Sequence, residues 1–180
     1  LEKYAAISDE AKEELEKTVR RIKVVKGQIL LHKDDVCRSL YFVESGFLRG
    51  FYIQDGKDIT GWFAFENDIA ASMYSFVTQK PSFESIEVLE DSVVYRIEYS
   101  KLQYLYRKYI EMNIIGRLMT EKYYISLEER KNALQFQSAT ERYQFVIQTQ
   151  PQLLQRASLG MIASYIGVTQ ETLSRIRNKI

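Results

Sequence analysis

One cysteine, one histidine, one tryptophan and two prolines stand among 180 residues. A single thiol, Cys37, excludes an internal disulfide, and a single imidazole, His32, leaves a protein-built zinc centre without its ligands. A cupin-like metalloenzyme fails for the same reason, since such sites take two or three histidines and a carboxylate. No run of 18 apolar residues is present, which excludes a membrane-spanning helix. The opening LEKYAAISDEAKEEL lacks the basic-then-apolar order of a secretion signal. The expectation is a cytoplasmic protein with no metal, no cofactor and no membrane partner. An excess of either charge is also missing: 25 Lys and Arg face 24 Asp and Glu, a net of +1. Hydrophobic residues at 46% and charged residues at 27% are ordinary for a folded globular chain, so disordered and collagen-like readings fail.

The balance hides an asymmetry. Residues 1–120 carry a net of −2 and residues 121–180 a net of +3, with Arg175, Arg177 and Lys179 close together near the end. Alone, such a cluster is as well explained by a solvated face as by a nucleic-acid partner.

The chain changes texture three times. Residues 1–21 read as a helix capped by Ser8 or Asp9, with Ala11, Leu15 and Val19 four apart. From 22 to 97 come short β-branched and aromatic runs (IKVV, QILL, SLYFVE, FLRGFYI, DITGWFAF, SIEVLEDSVVYRIE) separated by turn residues, Asp55 and Gly56 forming the clearest hairpin. This pattern predicts an antiparallel barrel or, equally, a sandwich. The segment 67–80, NDIAASMYSFVTQK, interrupts the strands with weak helical character. Beyond Ser100, which can cap a short helix, a longer helix is predicted over about 111–134. Tyr123, Leu127 and Leu134 fall on one of its faces, and Ile114, Leu118 and Ile125 on an adjoining one. A stripe that wide suits a helix packed both on its own barrel and on a second subunit, or an ordinary amphipathic helix of a monomer. Lys122, Glu129 and Arg130 interrupt it. Ser138 and Glu141 then form a capping box, and a new unit begins at 136.

The most informative stretch is SLGMIASYIGVTQETLSRIRNKI, residues 158–180. Ser158 caps a helix over 159–166, Gly167 ends it, and Thr169 caps a second helix over 170–179, the spacing of a helix-turn-helix. Ile162, Ile166, Val168, Leu173 and Ile176 point into the angle, and Ala163 lies where the helices cross closely. The outer face is polar: Gln170, Glu171, Ser174, Arg175 and Asn178. On such a helix Arg175 can donate twice to guanine and Glu171 can accept from cytosine, while Thr169, Thr172, Arg177 and Lys179 suit phosphates. The alternative makes Arg175 and Arg177 surface charges and Glu171 a helix-start acid.

With these parts in order, the whole chain resembles the cyclic-AMP receptor/FNR-type family of bacterial transcription regulators. KGQILLHKDDVCRSLYFVESGFLRGFYIQDGKDIT carries the likeness at the strands and IASYIGVTQETLSRIRNKI at the C-terminus. The resemblance implies an α+β chain: an N-terminal antiparallel β-roll sensor domain (a cupin-like jelly roll) at 1–109, a dimerisation helix at 110–135 and a helix-turn-helix DNA-binding domain at 136–180. It also implies a homodimer on an inverted repeat in double-stranded DNA, a contact with RNA polymerase, and a base-reading pair at Glu171 and Arg175. Gln170 stands where the family carries a further Arg. Family members usually continue into a β-hairpin wing; whether one comes after Ile180 is left open.

The sensor departs from the family pattern. Ala71 and Ser72 stand in place of the Gly-Glu pair that holds a cyclic nucleotide's ribose, and Ser82 and Phe83 roughly in place of the Arg-Ser pair that holds its phosphate. Lys80 is the one cation nearby, so tight cyclic-AMP binding is not expected. An iron–sulfur sensor lacks its cysteines, and His32, alone at a turn, reads as a surface residue rather than a haem ligand. The aromatic-rich stretch from Trp62 to Phe83 is either core and dimer packing or an apolar pocket for an unidentified small-molecule effector, lined by Trp62, Phe65, Ala71, Ser72, Met73, Ser82 and Phe83. A regulator without any effector fits too. The competing class is a degenerate roll working through protein contacts, with no DNA reading.

Overall fold

The computed structural model describes residues 5–179. In chain order the elements are α1 (Asp9–Thr18), β1 (Arg20–Val24), β2 (Ile29–Leu31), β3 (Ser39–Ser45), β4 (Leu48–Gln54), β5 (Lys57–Ala64), β6 (Ile69–Ala70), α2 (Met73–Thr78), β7 (Ser85–Val88) and β8 (Ser92–Glu98). The rest is helical: α3 (Tyr99–Lys108), α4 (Ile110–Phe136), α5 (Ala139–Thr149), α6 (Leu153–Arg156), α7 (Leu159–Tyr165) and α8 (Gln170–Arg177). No helix of the described residues is long and apolar enough to cross a membrane.

The strands form two antiparallel four-stranded sheets, ordered β1-β8-β3-β6 and β2-β7-β4-β5. This is a two-layered roll. Alternation along β3 sends Tyr41 and Val43 inward, where they meet Leu48, Ile86, Val88 and Val94 in one core. Burying each such aliphatic side chain contributes about 1.5–3 kcal/mol. Leu102 and Leu105 of α3 and Met112 and Ile115 of α4 extend that core, which fixes the root of α4 to the roll.

Three local expectations are corrected. The first helix stops at Thr18 rather than 21, because residues 20–24 pair with β8 as a strand; its first four residues lie outside the described ones. Ser8 caps it, accepting from the Ala11 amide. Segment 67–80 is not uniformly helical, since Ile69 and Ala70 pair with Phe42 and Tyr41 before α2 begins. Glu98, not Ser100, occupies the cap position of α3, because β8 runs directly into that helix.

A second core joins the roll to the C-terminal helices. Phe47, Phe65 and Leu89 from the roll are buried with Tyr143, Val146, Leu153, Ile162, Ala163, Ile166, Leu173 and Ile176. The helical end therefore rests on its own roll.

Candidate nucleic-acid interface

Four side chains build the C-terminal helices locally. Ser138 accepts from the Glu141 amide while the Glu141 carboxylate accepts from the Ser138 amide, starting α5. Ser158 accepts from the Met161 amide and Thr169 from the Thr172 amide, starting α7 and α8. Between these two helices Gly167 takes a φ of +73°, a left-handed conformation that a side chain would strain. Ile162 and Ala163 of α7 face Leu173 and Ile176 of α8, all buried, with Val168 half-buried beside them.

That burial decides which way α8 points. At about 100° per residue, Leu173 and Ile176 share the inward side, so Glu171, Ser174, Arg175 and Asn178 project together on the opposite side, with Gln170 at its edge and its Oε1 beside Gly160 of α7. All five are exposed. Thr172 and Arg177 flank this face, Thr172 half-buried and Arg177 exposed, and Thr169 and Lys179 are exposed at the two ends. Arg175 donates from Nη2 to the Thr172 hydroxyl at 3.3 Å. Its own backbone amide at the helix start and the Thr169 hydroxyl hold the Glu171 carboxyl below the usual carboxylate range, with Arg175 adding to the effect. The face presents an exposed anion and an exposed cation one helical turn apart.

Within the roll, the suggested pocket residues separate into groups. Trp62 donates from Nε1 to Glu84 Oε2 at 2.8 Å, and its indole lies over Gly50, where a Cβ would collide with it. Ser82 donates to Ser72 at 2.8 Å and accepts from the Glu84 amide. Burial pushes the Glu84 carboxyl up, against the Ser72 hydroxyl, the Trp62 indole and Arg130, which pull it down. Ala71 is buried in the first core and Met73 packs half-buried against it. Phe65 sits elsewhere, stacked on Phe47 at 4.7 Å in the second core. Phe83 faces outward at 62% exposed, its ring 4.4 Å from that of Tyr74. Cys37 is buried and its thiol is pushed up by desolvation. Among the described residues no group of three His, Cys, Asp or Glu side chains is placed to hold a metal ion.

Residues 21–109 match the cyclic nucleotide-binding domain family. The chain is 30% identical over 183 aligned positions to the fumarate and nitrate reduction regulatory protein of Vibrio cholerae, a match covering 91% of this chain and 70% of the relative. The chain belongs to the cyclic-AMP receptor/FNR-type family of transcription regulators. It is a DNA-binding transcription regulator. Its fold is similar to that of FixK2 from Bradyrhizobium japonicum, with a TM-score of 0.77 at 20% identity over 89% of this chain and 83% of that one. A CooA variant from Carboxydothermus hydrogenoformans gives 0.72 at 18% identity, covering 92% and 77%.

In this family member α4 is a 27-residue helix whose apolar face is left uncovered beyond its root. Tyr123, Ile125, Leu127 and Leu134 are 41%, 56%, 45% and 44% exposed, Ile114 is 38% exposed, and Leu118 is half-buried. Family regulators act as dimers. The interrupting Arg130 packs on the C-terminal helices of its own chain: its guanidinium lies 4.3 Å from the centroid of the Tyr165 ring, and Nη2 donates to the Tyr165 carbonyl at 3.3 Å.

Two charged groups of the regulator carry no local sequence signal. Arg49, 4% exposed, binds Asp58 and Glu87 within β4, β5 and β7. Arg156 binds Glu66 and Glu90, and holds the Glu66 carboxyl down at about 2. Sequence separations of 66 and 90 residues put those partners beyond any pattern of spacing.

Proposed function

We propose that the regulator binds double-stranded DNA as a homodimer and reads an inverted repeat with α8. The observation carrying this reading is the polar face of α8, held outward by buried Leu173 and Ile176. Arg175 donates to guanine O6 and N7 and Glu171 accepts from cytosine N4, with Gln170, Ser174 and Asn178 at neighbouring base edges. Thr169, Thr172, Arg177 and Lys179 bind phosphates and set the register. In this reading residues 1–109 form the sensor unit, 110–135 the dimerisation helix and 136–180 the DNA-binding unit. Two copies meet along Ile114, Leu118, Tyr123, Ile125 and Leu127, a face whose exposure supports burial against a second copy.

The effector is a small molecule other than cyclic AMP, or there is none. Ser82 donates to Ser72, Ser72 bonds the Glu84 carboxyl, and that carboxylate beside them disfavours a cyclic phosphate. A DNA partner implies work in the cytoplasm, alongside RNA polymerase.

The test is selection of sites from a genomic DNA pool at near-physiological salt. An enriched inverted repeat with half-sites about one helical turn apart is expected. No enrichment, with or without cell extract, favours the class that works by protein contact alone.

A further inference from the structure

Most of the seam between the roll and the C-terminal helices is apolar. Phe47 stacks on Phe65 at 4.7 Å and on Phe63 at 5.3 Å, and Phe63 meets the Tyr165 ring edge-on at 5.1 Å. Burial of this kind is largely non-directional, so such contacts constrain the angle between two bodies less sharply than a charged fork does. One hydrogen bond across the seam adds some direction, the Thr60 amide to Ser164 Oγ at 3.1 Å, and Arg130 of α4 donates to the Tyr165 carbonyl from the side of the long helix.

Arg156 is different in kind. Its guanidinium makes five hydrogen bonds to two carboxylates on two separate turns of the roll. Nη1 and Nη2 donate to Glu66 at 2.9 and 3.0 Å, just after β5. Nε and Nη2 donate to Glu90 at 3.0 and 2.7 Å, between β7 and β8. Glu66 is itself anchored, accepting from the Gly46 amide at 2.9 Å. The planar ion sits 5.1 Å and 5.5 Å from the ring centroids of Phe47 and Phe65, so it seals the edge of the apolar seam. A rigid fork held by two acceptors on different loops fixes position and angle together.

The chain beyond Arg156 carries that position onward to the recognition helix. Arg156 is the last residue of α6; after Ala157 and the cap Ser158, α7 begins, and the turn at 166–169 leads to α8. At the other end, α4 is tied to the same roll through Met112 and Ile115. The link from α4 to α5 is only Gln137 and Ser138, with Gln137 extended. The position of α8 relative to the dimer helix is therefore defined through the roll as well as through the direct contact of Arg130 in α4 with Tyr165 in α7. We propose that Arg156, clamped by Glu66 and Glu90, is a positioning residue that sets the distance between the two recognition helices, and so the half-site spacing that the regulator accepts. This rests on the dimeric DNA reading.

The test measures affinities of the full chain for one half-site and for inverted repeats whose half-site spacing is varied one base pair at a time. The wild type is expected to prefer one spacing over its neighbours by about tenfold or more, since a fixed separation concentrates the second head at one distance. In Arg156→Met and in the E66Q/E90Q double variant that preference falls to about threefold or less, with single half-site binding unchanged. A purely stabilising role predicts the reverse, a lower half-site affinity with the spacing profile preserved. Spin labels at Lys57 and Gln148, both exposed, give a readout without DNA: a narrow distance distribution in the wild type that broadens in both variants. An unchanged spacing profile and an unchanged distribution overturn the proposal. A wild type that selects no inverted repeat overturns the dimeric reading and this inference together, whereas a spacing-selective wild type with equally selective variants overturns only the inference.

Discussion

The Ser82 hydroxyl donates to the Ser72 hydroxyl at 2.8 Å, and each residue is only 1% exposed. Ser72 in turn bonds the Glu84 carboxyl, so the two hydroxyls are engaged within the chain. A cyclic phosphate there meets the like charge of Glu84, while the cation that Glu84 feels, Arg130, is engaged by Tyr165. Calorimetry with cyclic AMP is expected to show no saturable heat at low-micromolar protein. An affinity in that range contradicts the account.

Glu84 also gives the roll a pH dependence of definite sign. Burial raises its pKa, so the folded state holds the proton more tightly than the unfolded chain does. The group therefore costs stability as pH rises above the ordinary carboxylate value and through the raised one. Glu84→Gln keeps an oxygen for the Trp62 indole and removes that cost. Urea denaturation is expected to show a larger gain for E84Q over the wild type at pH 8 than at pH 5. A gain independent of pH contradicts this.

Arg49 is the buried cation of the roll, bonded to Asp58 at 2.6 and 2.8 Å, to Glu87 at 2.8 Å and to the Thr60 hydroxyl at 3.1 Å. Its removal leaves two carboxylates facing each other at the sheet surface. Arg49→Met is expected to destabilise the chain by about 3 kcal/mol, read from denaturant midpoints at constant slope.

Ala163 is 1% exposed at the crossing of α7 and α8. Leucine there forces the helices apart, at a cost of about 1–3 kcal/mol. A163L is expected to lose DNA binding while the near-ultraviolet signal of Trp62 in the roll stays unchanged. DNA binding at the wild-type level would show that the crossing tolerates the larger side chain.

What the sequence made legible is what local chemistry dictates. Ser138, Ser158 and Thr169 announce their helices because a cap acts within three residues, and each accepts the bond expected of it. Gly167 is legible for the same reason. The strand runs are equally local, and Asp55 and Gly56 both take positive φ at the β4–β5 turn. What spacing could not supply is long-range pairing. Residues 20 and 21 sit at the end of a helical pattern, yet they align with Arg96 and Tyr95 of β8, and the ladder wins. Phe65 is three positions from Trp62, but the strand ends at Ala64 and the chain turns, so the two rings enter different cores. Arg130 read as a break in an apolar stripe because its partner, Tyr165, arrives from another helix.

In the proposed reading α8 meets base edges through Arg175 and phosphates through Arg177. The most direct measurement compares the wild type, R175A and R177A on a selected operator and on base-substituted versions of it, across a salt series. R175A is expected to lose discrimination at one position of each half-site, costing about 1–3 kcal/mol per contact on the operator and little on the substituted site. R177A is expected to weaken all the sites alike and to lower the salt dependence by about one ion per subunit. If R175A instead weakens every sequence equally and leaves the order of preference intact, Arg175 is a phosphate contact and the reading of bases by α8 is contradicted.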